Sequence, residues 1–191
     1  MTTAAPTTFR FTRDEYYQMV DLGFFHGRRA ELIHGKIFDM SPQRDPHATA
    51  TGLAQYAFAA AFPDHWTRIQ LPLTLTDSEP EPDIALVPGS PRDYTNLGYH
   101  PNSASLVMEI AEPSLKYDRH VKAPLYAAAG IKDFWILNLP DRCLEVYRNP
   151  RPDASSPTGF RYADLTTLTE DNVVSPLANP AVAIPIADLL P

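Results

Sequence analysis

The sequence predicts an α+β fold, a mixed β-sheet flanked by helices, with extra strands from an N-terminal hairpin and the C-terminal tail. Segment 46–62 is rich in alanine and has apolar residues at helical spacing, which predicts a helix that ends before Pro63. Segments 83–87 and 104–111 are short and almost wholly apolar, which is typical of buried strands. A hairpin, a helix, strands, a second helix and more strands follow one another, and this order gives the mixed class.

Local signals predict the remaining elements. Thr12-Arg-Asp-Glu15 is a capping box, which predicts a short helix that stops at Gly23. The pair His34-Gly35 lies at the centre of RAELIHGKIFDM and indicates a hairpin turn. Residues 118–129 are helical in pattern, although Pro124 should bend that helix or mark its first turn. Strands are also expected at 66–75, 132–138, 143–148 and, more weakly, from 160 onwards, with a loop over 149–159.

Length and composition fit one domain over 1–191, with a core at about 24–150 and a strand extension at about 159–191. The lone Cys143 excludes an internal disulfide and a zinc site built from cysteines. No apolar run approaches the roughly 18 residues of a membrane span. The first residues lack the layout of a secretory signal. We therefore expect a cytoplasmic protein that does not bind membranes.

The formal net charge of -7 counts against broad electrostatic attraction to nucleic acid. It does not exclude a nucleic-acid enzyme whose acidic site is neutralised by metal ions. The sequence contains no P-loop, no dinucleotide-binding fingerprint and no G-x-S-x-G elbow. Functions that depend on those motifs therefore have no support.

Two carboxylates stand in strands that should be buried. Asp83 opens the apolar run IALV, and Glu109 is the one charge in 104–111, a segment that is apolar on both faces. A buried, unpaired carboxylate costs several kcal/mol, so it needs a cation or a raised pKa. If Asp83 and Glu109 meet in one cleft, they would suit a hard cation such as Mg²⁺ or Mn²⁺.

A lysine on the following helix could join these carboxylates. Arg119 and Lys122 lie one turn apart on the same side of that helix. If the helix packs back on the sheet, Lys122 can reach the end of the strand that carries Glu109. A lysine beside a metal-bound carboxylate can orient an attacking water. Glu31 is a second anomaly, because it stands between apolar residues in the first hairpin.

Each of these residues, taken alone, has an ordinary structural interpretation. The acidic segment 79–83 can be a solvated loop, and Glu109 can be half of a buried ion pair. Lys122 can be an exposed helix lysine, and Glu31 can lie on the surface of the hairpin. His47 opens a helix after a proline and could face the site, but surface histidines are common there.

Several segments resemble one family in order and spacing. They are ELIHGKIFDMSP, EPDIALV, LVMEIAEPSLKYDRHVKAPLYAAAGIKDFWIL, LEVYRNP and the PIADLLP ending, which together span nearly the whole chain. The sequence resembles the Uma-two family of restriction-endonuclease-like proteins, which belongs to the PD-(D/E)XK nuclease superfamily. The resemblance implies a restriction-endonuclease-like core, with an acidic site at one end of the sheet.

The resemblance also implies roles for particular residues. Pro82-Asp83 would be the PD element and Glu109 the (D/E). The usual lysine position holds Ala111, so Lys122 on the neighbouring helix would be the migrated lysine. Glu31 would be the additional acidic residue of the first structural element. The roles implied for neighbouring positions are a helper carboxylate at Glu81, a solvated side chain at Glu79, and possible assistance from Glu112 and Ser114.

The activity implied is that of an endonuclease dependent on Mg²⁺ or Mn²⁺, which hydrolyses phosphodiester bonds, with DNA as the expected substrate. Asp83 and Glu109 would bind the metal, Lys122 would orient the water, and Glu31 would ligate directly or through water. A homodimer is expected, because two-strand cutting needs two sites. Tyr126, Glu81 and His47 would support these residues, and Arg28, Arg29, Lys116 and Arg119 would contact phosphates.

Two other functions stay open. The fold could belong to a catalytically inactive protein that binds a partner or forms a dimer, which the net charge and Ala111 favour. The same residues could also serve a metal-dependent hydrolase of smaller phosphoesters. A basic groove beside the carboxylates would favour DNA, whereas a closed pocket would favour a small ligand.

Overall fold

The structure is a computed structural model that describes residues 7–191. It confirms the α+β class, with a six-stranded mixed sheet, two short two-stranded sheets and a small number of helices. The α-helices are α1 (Arg13–Asp21), α2 (Asp45–Ala61), α3 (Leu115–Tyr117) and α4 (Ala123–Ala128), with a π-helical turn, Asp118–Lys122, between the last two. The strands are β1 (Ala30–Ile33), β2 (Lys36–Asp39), β3 (His65–Ile69), β4 (Ile84–Pro88), β5 (Leu106–Ala111), β6 (Asp133–Asn138), β7 (Cys143–Pro152), β8 (Phe160–Thr169), β9 (Val173–Val174) and β10 (Ile184–Pro185).

The main sheet has the strand order β3-β4-β5-β6-β7-β8, in which β5 and β6 are parallel and the other neighbours antiparallel. Strand β5 is buried along its whole length, as its two apolar faces predict. Leu106, Met108 and Ile110 pack into the core that includes residues of α2. Val107 and Ala111 pack on the opposite side, against α4. Glu109 shares that second side, so it points towards the helix that follows β5.

The first hairpin turns where the sequence predicts. His34 and Gly35 have φ values of +48° and +70°, as a two-residue turn with two positive φ angles requires. Strand β1 is buried at all four residues, which include Glu31. The hairpin forms its own two-stranded sheet and contacts the chain before β4 through a bridge between Leu32 and Glu79.

The helix predicted over 118–129 begins earlier and is not uniform. It starts at Leu115, and its second section is the π-helical turn from Asp118 to Lys122. The backbone N–H of Ala123 donates to the carbonyl of Asp118, five residues back. Pro124 follows at once, within the first turn of α4, where a missing N–H is tolerated. The wider turn therefore accommodates the proline and carries Asp118 and Lys122.

Two predicted boundaries are wrong. The strand expected over 66–75 ends at Ile69, because Gln70 has a φ of +51° and leaves the extended conformation. The loop expected over 149–159 is shorter, since β7 runs on to Pro152 and pairs with β8. Beyond Arg148, β7 has only β8 as a neighbour, and prolines are tolerated on such an edge. No helix within residues 7–191 has the length and apolar character to cross a membrane.

Candidate active site

A cleft of about 910 Å³ opens between the first hairpin, the start of α2 and the ends of β4 and β5. The turn Asp118–Lys122 forms another wall. Five ionisable residues on these walls are buried, and they are Glu31, Asp83, Glu109, Asp118 and Lys122. Buried charges are rare unless they are paired, bind metal or act in chemistry. The cleft is therefore the candidate functional site.

Lys122 is the centre of the site. Its ammonium donates to Glu31 Oε2 at 2.6 Å and to Glu109 Oε1 at 3.2 Å. The hydroxyl of Tyr126, one turn further along, donates to the same Glu109 oxygen at 2.8 Å. The lysine therefore bridges the first hairpin and β5, and the tyrosine fixes the carboxylate of Glu109.

Asp83 stands beside Glu109, just before β4. Its Oδ2 accepts from the backbone N–H of Ile110 at 2.8 Å and lies 3.1 Å from Nε2 of His47. Its Oδ1 accepts from the side-chain amide of Gln70 at 3.2 Å. The backbone N–H of Asp83 in turn donates to Glu109 Oε2 at 3.3 Å. The antiparallel pairing of β4 with β5 thus brings the two carboxylates together.

A second group of contacts holds Glu31 and the rim of the cleft, which is formed here by Arg29 and Glu81. Glu31 accepts from the backbone N–H of Glu81 at 3.2 Å and from the hydroxyl of Tyr117 at 3.2 Å. Arg29 donates to the Glu81 carboxylate at 2.6 Å and to the side-chain oxygen of Gln70 at 3.1 Å. The rim is therefore connected to Asp83 through Gln70.

The cleft holds more carboxylates than cationic groups, and burial together with these charges shifts the pKa values of several of its residues. Burial is the main cause that raises the pKa of Glu109 to about 8. The charge of Lys122 opposes this shift, and the nearby carboxylates add to it. Burial also raises the pKa of Asp118 to about 6. For Lys122, burial opposes the charged form, but Glu109 and Glu31 raise its pKa well above the ordinary value. Burial likewise opposes protonation of His47, yet the hydrogen bond and charge of Asp83 raise its pKa.

The chemistry of these donors fits a hard divalent cation. Asp83 and Glu109 supply carboxylate oxygens, and the excess of buried carboxylates over ammonium groups is a charge that Mg²⁺ or Mn²⁺ would neutralise. Among residues 7–191, no three His, Cys, Asp or Glu side chains already form a coordination shell. A cation held here would keep waters or bind substrate oxygens, as Mg²⁺ commonly does.

The structure brings most of the predicted site residues together. Glu31, Asp83, Glu109 and Lys122 line one cleft, and Tyr126, Glu81 and His47 contact them. Their catalytic and supporting roles stay predictions, as do the phosphate contacts of the basic residues. Arg29 lines the cleft, Lys116 is exposed, Arg28 pairs with Asp39, and Arg119 pairs with Glu145.

The prediction for one carboxylate is wrong, and three residues of the site are not predicted from the sequence. Glu79, expected to be solvated, is 1% exposed, and it accepts from Thr74 at 3.1 Å. Gln70, which contacts Asp83, and Tyr117 and Asp118, which line the cleft, also belong to the site. Asp118 precedes Lys122 by four residues, so helical spacing could have placed both on one side of the helix. No local pattern marks Gln70 or Tyr117.

Comparison with known proteins agrees with this architecture. The family model of Uma2 (Uma-two), described as "Putative restriction endonuclease", matches residues 13–187. The chain belongs to the Uma2 family. The segments that resemble Uma2 in the sequence carry Glu31, Asp83, Glu109 and Lys122.

The fold of this Uma2 chain is similar to that of a solved structure. It is the crystal structure of a putative nuclease belonging to DUF820 from Anabaena variabilis ATCC 29413. The two chains have 18% sequence identity and a TM-score of 0.70, over 94% of this chain and 97% of that chain. At this identity the likeness shows the fold alone. No curated protein matches the sequence.

Proposed function

We propose that the protein is a metal-dependent endonuclease that hydrolyses phosphodiester bonds, with DNA as its substrate. Asp83, Glu109, Lys122 and Glu31 are the proposed catalytic residues. The observation that carries the proposal is the position of Lys122, within 3.2 Å of both Glu31 and Glu109 and on the same cleft as Asp83. Buried charges with perturbed pKa values in one cleft are typical of catalytic sites. The family description supports a nuclease in general terms.

Asp83 and Glu109 are the proposed ligands of Mg²⁺ or Mn²⁺. When bound there, the cation would lower the pKa of a water and polarise a phosphodiester oxygen. The chain's own contribution is to fix both carboxylates. Asp83 is held by the Ile110 N–H and His47, and Glu109 is held by Tyr126. Hydrogen-bonded ligands of this kind need little reorganisation when a cation arrives.

Lys122 is the proposed group that orients the water and offsets developing negative charge. Its raised pKa keeps it protonated at neutral pH. An ammonium has three N–H donors, and two of them are directed at Glu31 and Glu109. The third N–H has no acceptor among residues 7–191 and can donate to a water or a phosphate oxygen. Glu31 would ligate the cation directly or through water, besides holding the ammonium in place.

Phosphate contacts are proposed for Arg28, Arg29, Lys116 and Arg119. Arg29 lines the cleft, and its side chain is 41% exposed while it pairs with Glu81. Lys116 is exposed on the helix that carries Lys122. Arg28 and Arg119 are engaged by Asp39 and Glu145, so DNA would have to compete with those carboxylates.

A second candidate is hydrolysis of smaller phosphoesters by the same residues. The ion pairs of Arg28 and Arg119 and the net charge of -7 favour it, because both reduce the positive surface that a long polyanion needs. A catalytically inactive protein that binds a partner or dimerises through this fold is disfavoured by the number of buried carboxylates, which are costly to keep without use.

We also propose a homodimer in the cytoplasm. DNA cleavage on both strands needs two sites, which a two-fold dimer supplies. Strand β8 lies at the edge of the main sheet, within the tail expected to extend the core, and can contribute to such an interface. Light scattering coupled to size exclusion measures this directly.

The test is cleavage of plasmid and single-stranded DNA with Mg²⁺ or Mn²⁺, and with EDTA as the metal-free control. We expect cleavage by the wild type and none by Asp83→Asn or Glu109→Gln. Asp39→Asn is the matched control, because Asp39 lines the cleft rim and is exposed. Cleavage by the two site variants at the wild-type rate would refute the nuclease assignment. If no DNA is cut, turnover of a chromogenic phosphodiester would favour the second candidate.

A further inference from the structure

Asp118 is a buried carboxylate with one oxygen that the fold leaves without a hydrogen-bond donor. The residue is 4% exposed, on the π-helical turn that forms one wall of the cleft. Its Oδ2 atom has no hydrogen-bond partner among the residues that the structure describes. Leaving a buried acceptor unsatisfied is costly, and more so when it carries charge. Asp118 lines the cleft, so a ligand bound there can supply to its carboxylate a partner that the protein chain does not.

The cationic groups around Asp118 are directed elsewhere. Lys122, on the same turn, donates to Glu31 and Glu109, and His47 contacts Asp83. Ser114 and the charge of Lys122 favour the ionised form of Asp118, but burial and the charges of Asp83 and Glu31 oppose it, and the net effect is a raised pKa. The carboxylate therefore faces more negative than positive charge, and a positively charged or donating ligand would relieve both the repulsion and the missing hydrogen bond.

We propose that Asp118 is a further binding group for the divalent cation, and that its carboxylate accepts a hydrogen bond from a water of the cation's hydration shell. The inference rests on the proposed function, because it takes Asp83 and Glu109 as the direct ligands. Contact through water is chosen because no three acidic side chains in the described chain form a ready coordination shell. Mg²⁺ retains several of its waters in protein sites, and those waters are good donors to carboxylates.

A purely structural role would behave differently from this one. A structural carboxylate stabilises the metal-free fold, so its replacement by asparagine lowers the unfolding temperature. A cation-binding carboxylate destabilises the metal-free fold, because one of its oxygens is buried without a donor and it lies beside like charges. Asp118→Asn should therefore leave the unfolding temperature in EDTA unchanged or raise it.

The experiment is titration of Mn²⁺ into the full chain by calorimetry, with free Mn²⁺ followed by electron paramagnetic resonance. We expect Asp118→Asn to weaken Mn²⁺ binding by roughly 10- to 100-fold, the usual loss when a group behind the direct ligands is removed. Asp39→Asn removes one charge from the rim of the same cleft and should leave the affinity unchanged. Asp83→Asn should abolish binding.

The outcomes separate this inference from the proposed function. Wild-type affinity in Asp118→Asn, with binding lost in Asp83→Asn, would overturn the inference and leave the nuclease proposal standing. Equal weakening in Asp118→Asn and Asp39→Asn would overturn it too, because the effect would be general charge. No binding by the wild type would count against both. A lower unfolding temperature of Asp118→Asn in EDTA would assign the carboxylate a structural role and also overturn the inference.

Discussion

The ammonium of Lys122 lies 2.6 Å from the carboxylate of Glu31, a residue 91 positions earlier in the chain. Both side chains are almost wholly buried. The pair joins the first hairpin to the helix after β5, and the same ammonium reaches Glu109 on β5 itself. A contact that catalysis would use is therefore also a contact that holds three separate elements together.

Replacing Lys122 with methionine should destabilise the fold. Glu31 and Glu109 would lose their buried counter-ion, and breaking such a pair costs about 3–5 kcal/mol. We expect that loss in the free energy of unfolding, measured with urea at pH 8 in EDTA. Lys116→Met is the control, because it removes an exposed lysine from the same helix and should change stability by less than about 0.5 kcal/mol. Adding Glu31→Gln to Lys122→Met should restore part of the loss, and equal losses at Lys116 and Lys122 would contradict the prediction.

Stability of the metal-free protein should fall as pH rises from about 5 to about 8. The pKa of Glu109 is raised from 4.5 to about 8 in the folded state, so the folded chain retains a proton that the unfolded chain has released. Each retained proton gives a slope of about 1.4 kcal/mol per pH unit within that window. The raised pKa values of Asp118 and His47 act in the same direction, whereas the lowered pKa of His100 opposes them near pH 6.5.

The measurement is the urea midpoint against pH in EDTA, for the wild type and for Glu109→Gln. The variant cannot titrate at position 109, so its midpoint should vary less between pH 5 and 8, while the His100 contribution is common to both proteins. Addition of Mn²⁺ should flatten the wild-type profile, because cation binding favours the ionised carboxylate. Parallel profiles for the two proteins would show that Glu109 titrates normally.

Local signals in the sequence were sufficient to predict those elements whose ends are set by neighbouring residues. The capping box of Thr12 and Glu15 is present, and the hairpin turns at His34-Gly35. The apolar faces of 104–111 gave the buried strand β5 and the burial of Glu109 within it. In each case the deciding interaction spans a few residues, or follows from the side-chain alternation of a strand.

Features that depend on distant packing were not predictable. Glu79 lies in an acidic, proline-rich segment, yet it is buried because Leu32, Thr74 and Arg13 surround it from other parts of the chain. Gln70 reaches Asp83 only because the chain leaves the extended conformation there. The resemblance to a family supplied the grouping of Glu31, Asp83, Glu109 and Lys122, which spacing alone could not have given.

Arg119 should prove important for stability as well as for any phosphate contact. Its guanidinium binds Glu145, which is 3% exposed and whose pKa is lowered, against the effect of burial, by Arg119 and two other hydrogen-bond donors. Arg119→Ala would leave that carboxylate short of its charged donor, at a cost of about 1–3 kcal/mol. Arg28→Ala is the matched control, because the Arg28–Asp39 pair is exposed on both sides and should contribute about 0–1 kcal/mol. Urea unfolding at pH 7 measures both, and similar losses for the two arginines would argue against the distinction.

Tyr126→Phe should impair cleavage with little effect on the fold. The ring of Tyr126 packs against Phe134 at 5.1 Å between centroids, and phenylalanine keeps that contact. Only the hydroxyl that donates to Glu109 is lost, and removal of such a supporting group typically lowers activity or metal affinity 10- to 100-fold. Tyr162→Phe is a close control, since Tyr162 also packs on Phe134 but donates to the carbonyl of Ile131, away from the cleft. Each variant loses one buried hydrogen bond, worth about 1 kcal/mol, so their unfolding midpoints should shift alike. A cleavage rate that falls in Tyr126→Phe alone would therefore trace the effect to the orientation of Glu109, whereas equal rates would mean that Lys122 is sufficient to hold that carboxylate.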